Sequence, residues 1–220
     1  MSRVMVAKVQ MPEKGVFFVR VDEAAVASGA VSRDTRGRVV VALDYGEDVG
    51  ELIAMEPYDS AVHGERIPGF RLVRRFASPD ERILAENKAR ADDMRGVFID
   101  LARADVPDLR IPSARLSFGR KRLFMRYVCE KSHPNFSVAQ AELKRRFGVE
   151  CNLWPMGLRD EVAETGWIGP CGRMCCCCCW QKRFPSHLAP EHRNKLPALM
   201  NGICGRFKCC LAFERDSNCV

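Results

Sequence analysis

One short cysteine motif occurs twice, in register, in the last quarter of this 220-residue chain. The first copy reads Gly169-Pro170-Cys171-Gly172-Arg173-Met174-Cys175-Cys176-Cys177, and the second reads Gly202-Ile203-Cys204-Gly205-Arg206-Phe207-Lys208-Cys209-Cys210. Three cysteines therefore recur at matching places: Cys171 with Cys204, Cys176 with Cys209, and Cys177 with Cys210. Thiolates presented together in this way are what zinc and iron–sulfur clusters require, because each metal takes several sulfur donors in a tetrahedral arrangement. Beyond Gly157 the chain is rich in Cys, Pro, His and Gly and poor in aliphatic runs. Such a segment packs weakly by itself, and ligation would hold it, since binding free energy becomes folding free energy when no site exists in the unfolded chain.

The six recurring cysteines are the candidate ligands. Gly172 and Gly205 permit the backbone turns a cluster site needs, and Arg173 and Arg206 would set cations beside an anionic thiolate group. Cys175, Cys178 and Cys179 extend the first copy into five consecutive cysteines. In a helix successive side chains diverge, and in a strand they alternate faces, so five neighbouring thiols cannot converge on one metal. Cys175, Cys178 and Cys179 are accordingly secondary candidates, and the surplus thiols behave as small apolar side chains. His187 and His192 lie between the copies at a separation compatible with zinc, without the flanking thiols that usually accompany such a pair. His63 and His133 read as surface loop residues, and Cys129 and Cys151 as core.

The amino-terminal sequence is broken by charges too early for a signal-peptide core, and no apolar run approaches membrane-spanning length. A cytoplasmic chain is expected, in which clustered thiols stay reduced. No phosphate-binding loop, dinucleotide fingerprint, Ser-His-Asp pattern or paired-carboxylate motif is present in the sequence, so the chain is expected not to be an enzyme. The formal charge of +7 is uneven. Between Gly119 and Gly148 eight Lys or Arg face only Glu130 and Glu142. Arg120, Lys121, Arg122, Lys144, Arg145 and Arg146 are thus candidate nucleic-acid contacts. The alternative is structural: the last three fall in the final turn of a predicted helix, where cations suit the macrodipole.

The expected fold is α+β in three parts. Residues 1–72 read as a small barrel-like β region, with strands near Val4–Val9, Val16–Val21, Arg38–Leu43 and Glu51–Met55. Residues 73–158 read as a two-layer domain in the order helix, strand, strand, helix, strand. Its first helix starts at Ser78, with Pro79 at the first position and Glu81 completing a capping box. Leu84, Ala91, Met94, Phe98 and Leu101 form its buried stripe. Strands over Ser113–Phe118 and Arg122–Val128 meet at Gly119-Arg120-Lys121. A helix over Ser137–Phe147, with Gln140 in capping-box position and Gly148 as its stop, precedes a strand over Val149–Met156. Residues 159–220 hold the duplicated cysteine motif.

The string Gly157-Leu158-Arg159-Asp160-Glu161, followed by Gly169-Pro170-Cys171-Gly172-Arg173 and by Gly202-Ile203-Cys204-Gly205-Arg206 with Cys209-Cys210-Leu211, resembles the YaaT (RicT) family. These are bacterial relatives of the C-terminal domain of the yeast polymerase-suppressor protein. The resemblance implies a cytoplasmic regulatory adaptor that joins small protein partners in a complex carrying iron–sulfur clusters, of the four-iron type, and influences RNA maturation through endoribonuclease Y. It also implies effects on biofilm formation, competence and sporulation. Cys171, Cys176, Cys177, Cys204, Cys209 and Cys210 are the ligands it points to. The five-cysteine run departs from the family pattern, as does the strand around Glu150-Cys151-Asn152-Leu153-Trp154-Pro155. A zinc-stabilised nucleic-acid-binding module and a thiol-redox protein are the two competing readings.

Overall fold

The computed structural model describes residues 4–12, 15–21, 26, 31, 36–63, 69–183 and 201–213. His187, His192 and Cys219 lie outside them. The fold is α+β, and the chain divides into two compact units built from alternating segments. One comprises Met1–Phe98, Ala114–Phe124 and Phe136–Asn152, and the other Ile99–Ser113, Met125–Asn135 and Leu153–Val220.

The first unit opens with a closed five-stranded barrel in the order β1-β2-β5-β3-β4. Its strands are β1 (Met5–Met11), β2 (Gly15–Val21), β3 (Gly37–Leu43), β4 (Gly46–Pro57) and β5 (Arg71–Arg75). Period-two alternation sends Ala7, Val9, Met11, Val19, Val39, Val41, Leu52 and Leu72 into one core. The outward side of the same β3 gives Val40 to a second cluster with Val49 and Phe118, against which Ile83 and Leu84 pack. Sequence reading missed β5. Three of its five residues are arginine, and only Leu72 is fully buried. It closes the barrel by pairing parallel to β2 and antiparallel to β3.

Closure brings β1 and β4 very near each other at Gly50. A Cβ at this glycine would lie 2.5 Å from Val9 Cγ1 and 2.6 Å from Met11 Sδ, both on fully buried side chains. Only a residue without a side chain fits. Gly50→Ala is expected to destabilise the chain by about 1–3 kcal/mol, the usual cost of overpacking a filled core. Urea unfolding checks this, and an unchanged midpoint would refute the close approach.

A four-residue helix, α1 (Ser60–His63), follows β4. His63 is not a surface loop residue: its side chain is 2% exposed. Its Nδ1 accepts the Asp59 N–H at 2.8 Å and its Nε2 lies 3.0 Å from Glu56 Oε1, with Phe18 edge-on to the ring. The long helix α2 spans Ser78–Ala102. Its first turn is capped differently from expectation. Asp80, not Glu81, makes the return bond, accepting the Ala77 N–H at 2.8 Å and pairing with Arg74 at 2.6 Å. Arg74 holds the Asp80 carboxyl below the usual carboxylate range, and Glu81 reaches Arg38 instead. The buried stripe runs through Asn87, Ala91, Met94, Phe98 and Ala102, so Ala102 stands where Leu101 was expected.

A three-stranded sheet has the order β6-β7-β8. Its strands are β6 (Arg110–Leu116), β7 (Arg122–Val128) and β8 (Glu150–Pro155). Between β6 and β7 the turn at Arg120 takes the left-handed conformation, φ 59°, and Ser117 Oγ accepts the N–H groups of Lys121 and Arg122 at 3.1 and 3.0 Å. Helix α3 spans Ser137–Phe147 and ends at Gly148, φ 67°, whose N–H bonds Lys144 O. Gln140 does not complete a capping box; its side-chain amide donates to Cys151 O at 3.2 Å. Cys129 and Cys151 are half-buried rather than core. Among the described residues no helix is long and apolar enough to cross a membrane.

Candidate metal centre

Both cysteine repeats fold into the same loop. In the first, Ile168 bridges Met174, the Gly169 N–H donates to Arg173 O at 2.7 Å, and the Gly172 N–H donates to Gly169 O at 3.0 Å. In the second, Asn201 bridges Phe207, the Gly202 N–H donates to Arg206 O at 2.7 Å, and the Gly205 N–H donates to Gly202 O at 3.0 Å. Gly172 and Gly205 take nearly the same left-handed φ, 75° and 72°, a conformation that strains any residue bearing a Cβ. Each loop leads into one short helical turn: α5 (Cys176–Cys179) after the first and a 3-10 turn, Cys209–Phe213, after the second. The turns begin alike, the Cys178 N–H donating to Cys175 O at 2.9 Å and the Leu211 N–H to Lys208 O at 3.1 Å. The sequence register is therefore a backbone register.

The two loops wall a single cavity of about 270 Å³. Cys171, Cys175, Cys176 and Cys177 line it from the first repeat, and Cys204, Cys209 and Cys210 from the second. Val162, Met174, Ile203 and Phe207 supply apolar wall. All six in-register cysteines thus line one cavity, and so does Cys175, which sequence reading ranked below them. Cys178 and Cys179 do not line the cavity. The Cys178 thiol donates to Val162 O at 3.2 Å, and Cys179 is exposed. Its place on α5 explains this: four helical residues cannot all face one side.

The support beneath the cavity is helix α4 (Leu158–Thr165), which the sequence had shown only as a motif string. Asp160 and Glu161 in its first turn suit the positive end of the helix dipole. Glu161 also binds Arg110 at 2.8 Å, and Glu164 binds Arg126 at 3.0 Å. Arg159, 4% exposed, sends its guanidinium to the carbonyls of Gln181 and Lys182 just past α5. It also favours the charged form of the Cys177 thiol. Arg173 and Arg206, expected in that role, are exposed at the loop tips.

Burial pushes the Cys175 and Cys176 thiols up, aided by their sulfur neighbours. Burial and then Cys178 push Cys177 up to about 11. Held neutral, these three thiols are poor nucleophiles, but a thiophilic cation displaces their protons and compensates the charge. Among the described residues no three His, Cys, Asp or Glu side chains are already gathered tightly enough to ligate a metal ion. Ligation therefore requires the sulfurs of the two loops to close inward. The donor set itself, seven sulfurs without a competing carboxylate on the cavity wall, fits zinc or an iron–sulfur cluster and no hard cation.

Much of the basic stretch is ion-paired, although two of its carboxylate partners each serve two cations. Arg120 pairs with Glu86 at 2.8 Å and bonds Asn87, Arg122 and Lys144 share Glu150, and Arg145 and Arg146 share Glu142. Arg145 and Arg146 hold the Glu142 carboxyl down at about 2. The local excess of positive charge read from the sequence omitted Glu86 and Glu150.

No family model matches the chain, and no solved structure does. It is similar to the stage 0 sporulation protein YaaT of Bacillus subtilis (strain 168), with 28% identity over 178 residues, 79% of this chain and 62% of that relative. The chain thus spans about three-fifths of the curated relative it matches. The chain is thus YaaT-like over 79% of its own length.

Proposed function

We propose that the chain is a non-catalytic cytoplasmic regulatory adaptor that ligates an iron–sulfur cluster in the cysteine cavity and, through small protein partners, supports an RNA-processing complex of the endoribonuclease Y type. The observation that carries the metal reading is the convergence of two like-folded repeats on one thiol-lined cavity. The regulatory reading rests on the likeness to a sporulation protein. Bound metal supplies folding free energy to the cysteine segment. The raised Cys175, Cys176 and Cys177 thiols count against a redox role for those three, since reactive cysteines are low-pKa and exposed. Anaerobic purification with iron, acid-labile sulfide and zinc analysis tests the reading. Iron and sulfide in comparable amounts support it; stoichiometric zinc without sulfide overturns it in favour of a zinc-stabilised module.

Direct RNA binding is expected to be weak, because five of the six candidate side chains, all but Lys121, already have carboxylate partners. The purified chain should bind RNA more weakly than micromolar at physiological salt, and replacing Lys144, Arg145 and Arg146 with Ala should leave metal content unchanged. Titration at several salt concentrations checks this. Tight binding that falls steeply with salt and is lost in the triple variant would identify a nucleic-acid module instead.

A further inference from the structure

In a run of five consecutive cysteines each thiol is chemically interchangeable with its neighbour, yet the cavity takes Cys175, Cys176 and Cys177 and not Cys178 or Cys179. Four of the five make up α5, a single turn. One turn has too few internal hydrogen bonds to hold itself, so its rotation about its own axis is set by what it packs against. Successive side chains diverge, and a slip of one residue would exchange Cys177 for Cys178 at the cavity wall.

Helix α4 fixes the turn at two points. The Cys178 thiol donates to Val162 O at 3.2 Å. Arg159, the only Lys or Arg buried among the described residues, donates to Lys182 O at 3.1 Å and to Gln181 O. The Gln181 N–H in turn donates to Cys176 O at 2.8 Å, and the Lys182 ammonium to Cys178 O at 2.9 Å. One planar guanidinium thus grips the two residues that close the cysteine turn, and its rigid fork allows them little rotation. We propose that Arg159 is the positioning residue of the metal centre: by holding the exit of α5 it selects which members of the cysteine run face the cavity, admitting Cys176 and Cys177 and excluding Cys178 and Cys179. This rests on the reading of the cavity as a thiolate metal centre and extends it to a side chain that acts through the backbone of Gln181 and Lys182.

The test is to load the full, reduced chain anaerobically with Fe(II) and sulfide, treat loaded and unloaded samples with iodoacetamide, and locate the modified cysteines by fragment-ion mass spectrometry. In the intact chain, loading is expected to slow alkylation of Cys176 and Cys177 and to leave Cys178 and Cys179 unchanged. In Arg159→Gln protection should spread to Cys178, and an iron chelator should strip the chain at about one-tenth of the concentration, the usual cost of losing an outer-shell partner. Arg159→Lys keeps the charge without the fork and should fall between. Arg110→Gln, which removes the ion pair of the same helix with Glu161, should match the intact chain. Circular dichroism of the unloaded chains shows whether Arg159→Gln folds; if it does not, Arg159→Lys decides. The same cysteines protected in the folded Arg159 variant, whether or not iron is lost more easily, overturns the proposal while the metal reading stands. No protection of any cysteine in the loaded intact chain overturns both.

Discussion

Cys209→Ser is expected to strip the chain of most of its bound metal and to open residues 169–213 to proteolysis, whereas Cys178→Ser leaves both unchanged. Structural thiolate sites bind with about 10–16 kcal/mol. Losing one sulfur of four therefore removes about 3 kcal/mol, or about a hundredfold in affinity. Cys209 lines the cavity and begins the turn that follows the second loop. Cys178 is not among the residues lining the cavity and donates to Val162 O, a bond that a serine hydroxyl makes equally well. Metal analysis and limited proteolysis of the two variants side by side check the contrast. Equal losses from both would show that the cysteine run acts as a whole and that the repeat register does not select ligands.

Asp48→Ala is expected to cost about 3–5 kcal/mol, the penalty for breaking a buried ion pair by removing one partner. The Asp48 carboxylate is fully buried. It accepts from Arg115 through both nitrogens at 2.8 and 2.9 Å, from the Tyr45 hydroxyl at 3.0 Å, and from the Val49 and Phe118 N–H groups at 3.0 and 3.2 Å. Removing it takes the acceptor from the Val49 and Phe118 N–H groups and the carboxylate from Arg115, and each buried donor left unsatisfied carries its own desolvation penalty. Asp48→Asn keeps an acceptor for the backbone donors and should cost less. Urea unfolding measures both. A loss below about 1 kcal/mol for Asp48→Ala would contradict the network.

Asp48 also marks where sequence reading stops. Beside Tyr45-Gly46 it looks like an ordinary turn acid; its partner Arg115 is 67 residues away, and no local pattern connects them. Elements written in periodicity or punctuation were legible. Strand β7 and helix α3 match their expected bounds residue for residue. Helix α2 was expected from its Pro79 start and its stripe, yet its capping acid was misplaced because Glu81 and Asp80 both suit a first turn. Strand β5 was hidden by its arginines, since alternation about a single buried leucine is no signal. Helix α4 was hidden by its short length, although Leu158 to Thr165 contains its first-turn acids in plain order.

For the site, duplication was the legible part. The six matched cysteines, Cys171, Cys176, Cys177, Cys204, Cys209 and Cys210, all line the one cavity. That Cys175 lines the same cavity was not legible, because a break in the register looks like surplus until the loop geometry places its sulfur beside that of Cys171. Arg159 was missed for a similar reason: it belongs to another element and reaches α5 only in the folded chain.

The most direct measurement is X-ray absorption at the metal edge of the anaerobically purified chain. The account predicts a shell of sulfur at about 2.3 Å around the metal, with iron–iron scattering from a cluster, both diminished in Cys209→Ser and retained in Cys178→Ser. A shell of nitrogen and oxygen alone, or a sulfur shell indifferent to Cys209, would contradict it.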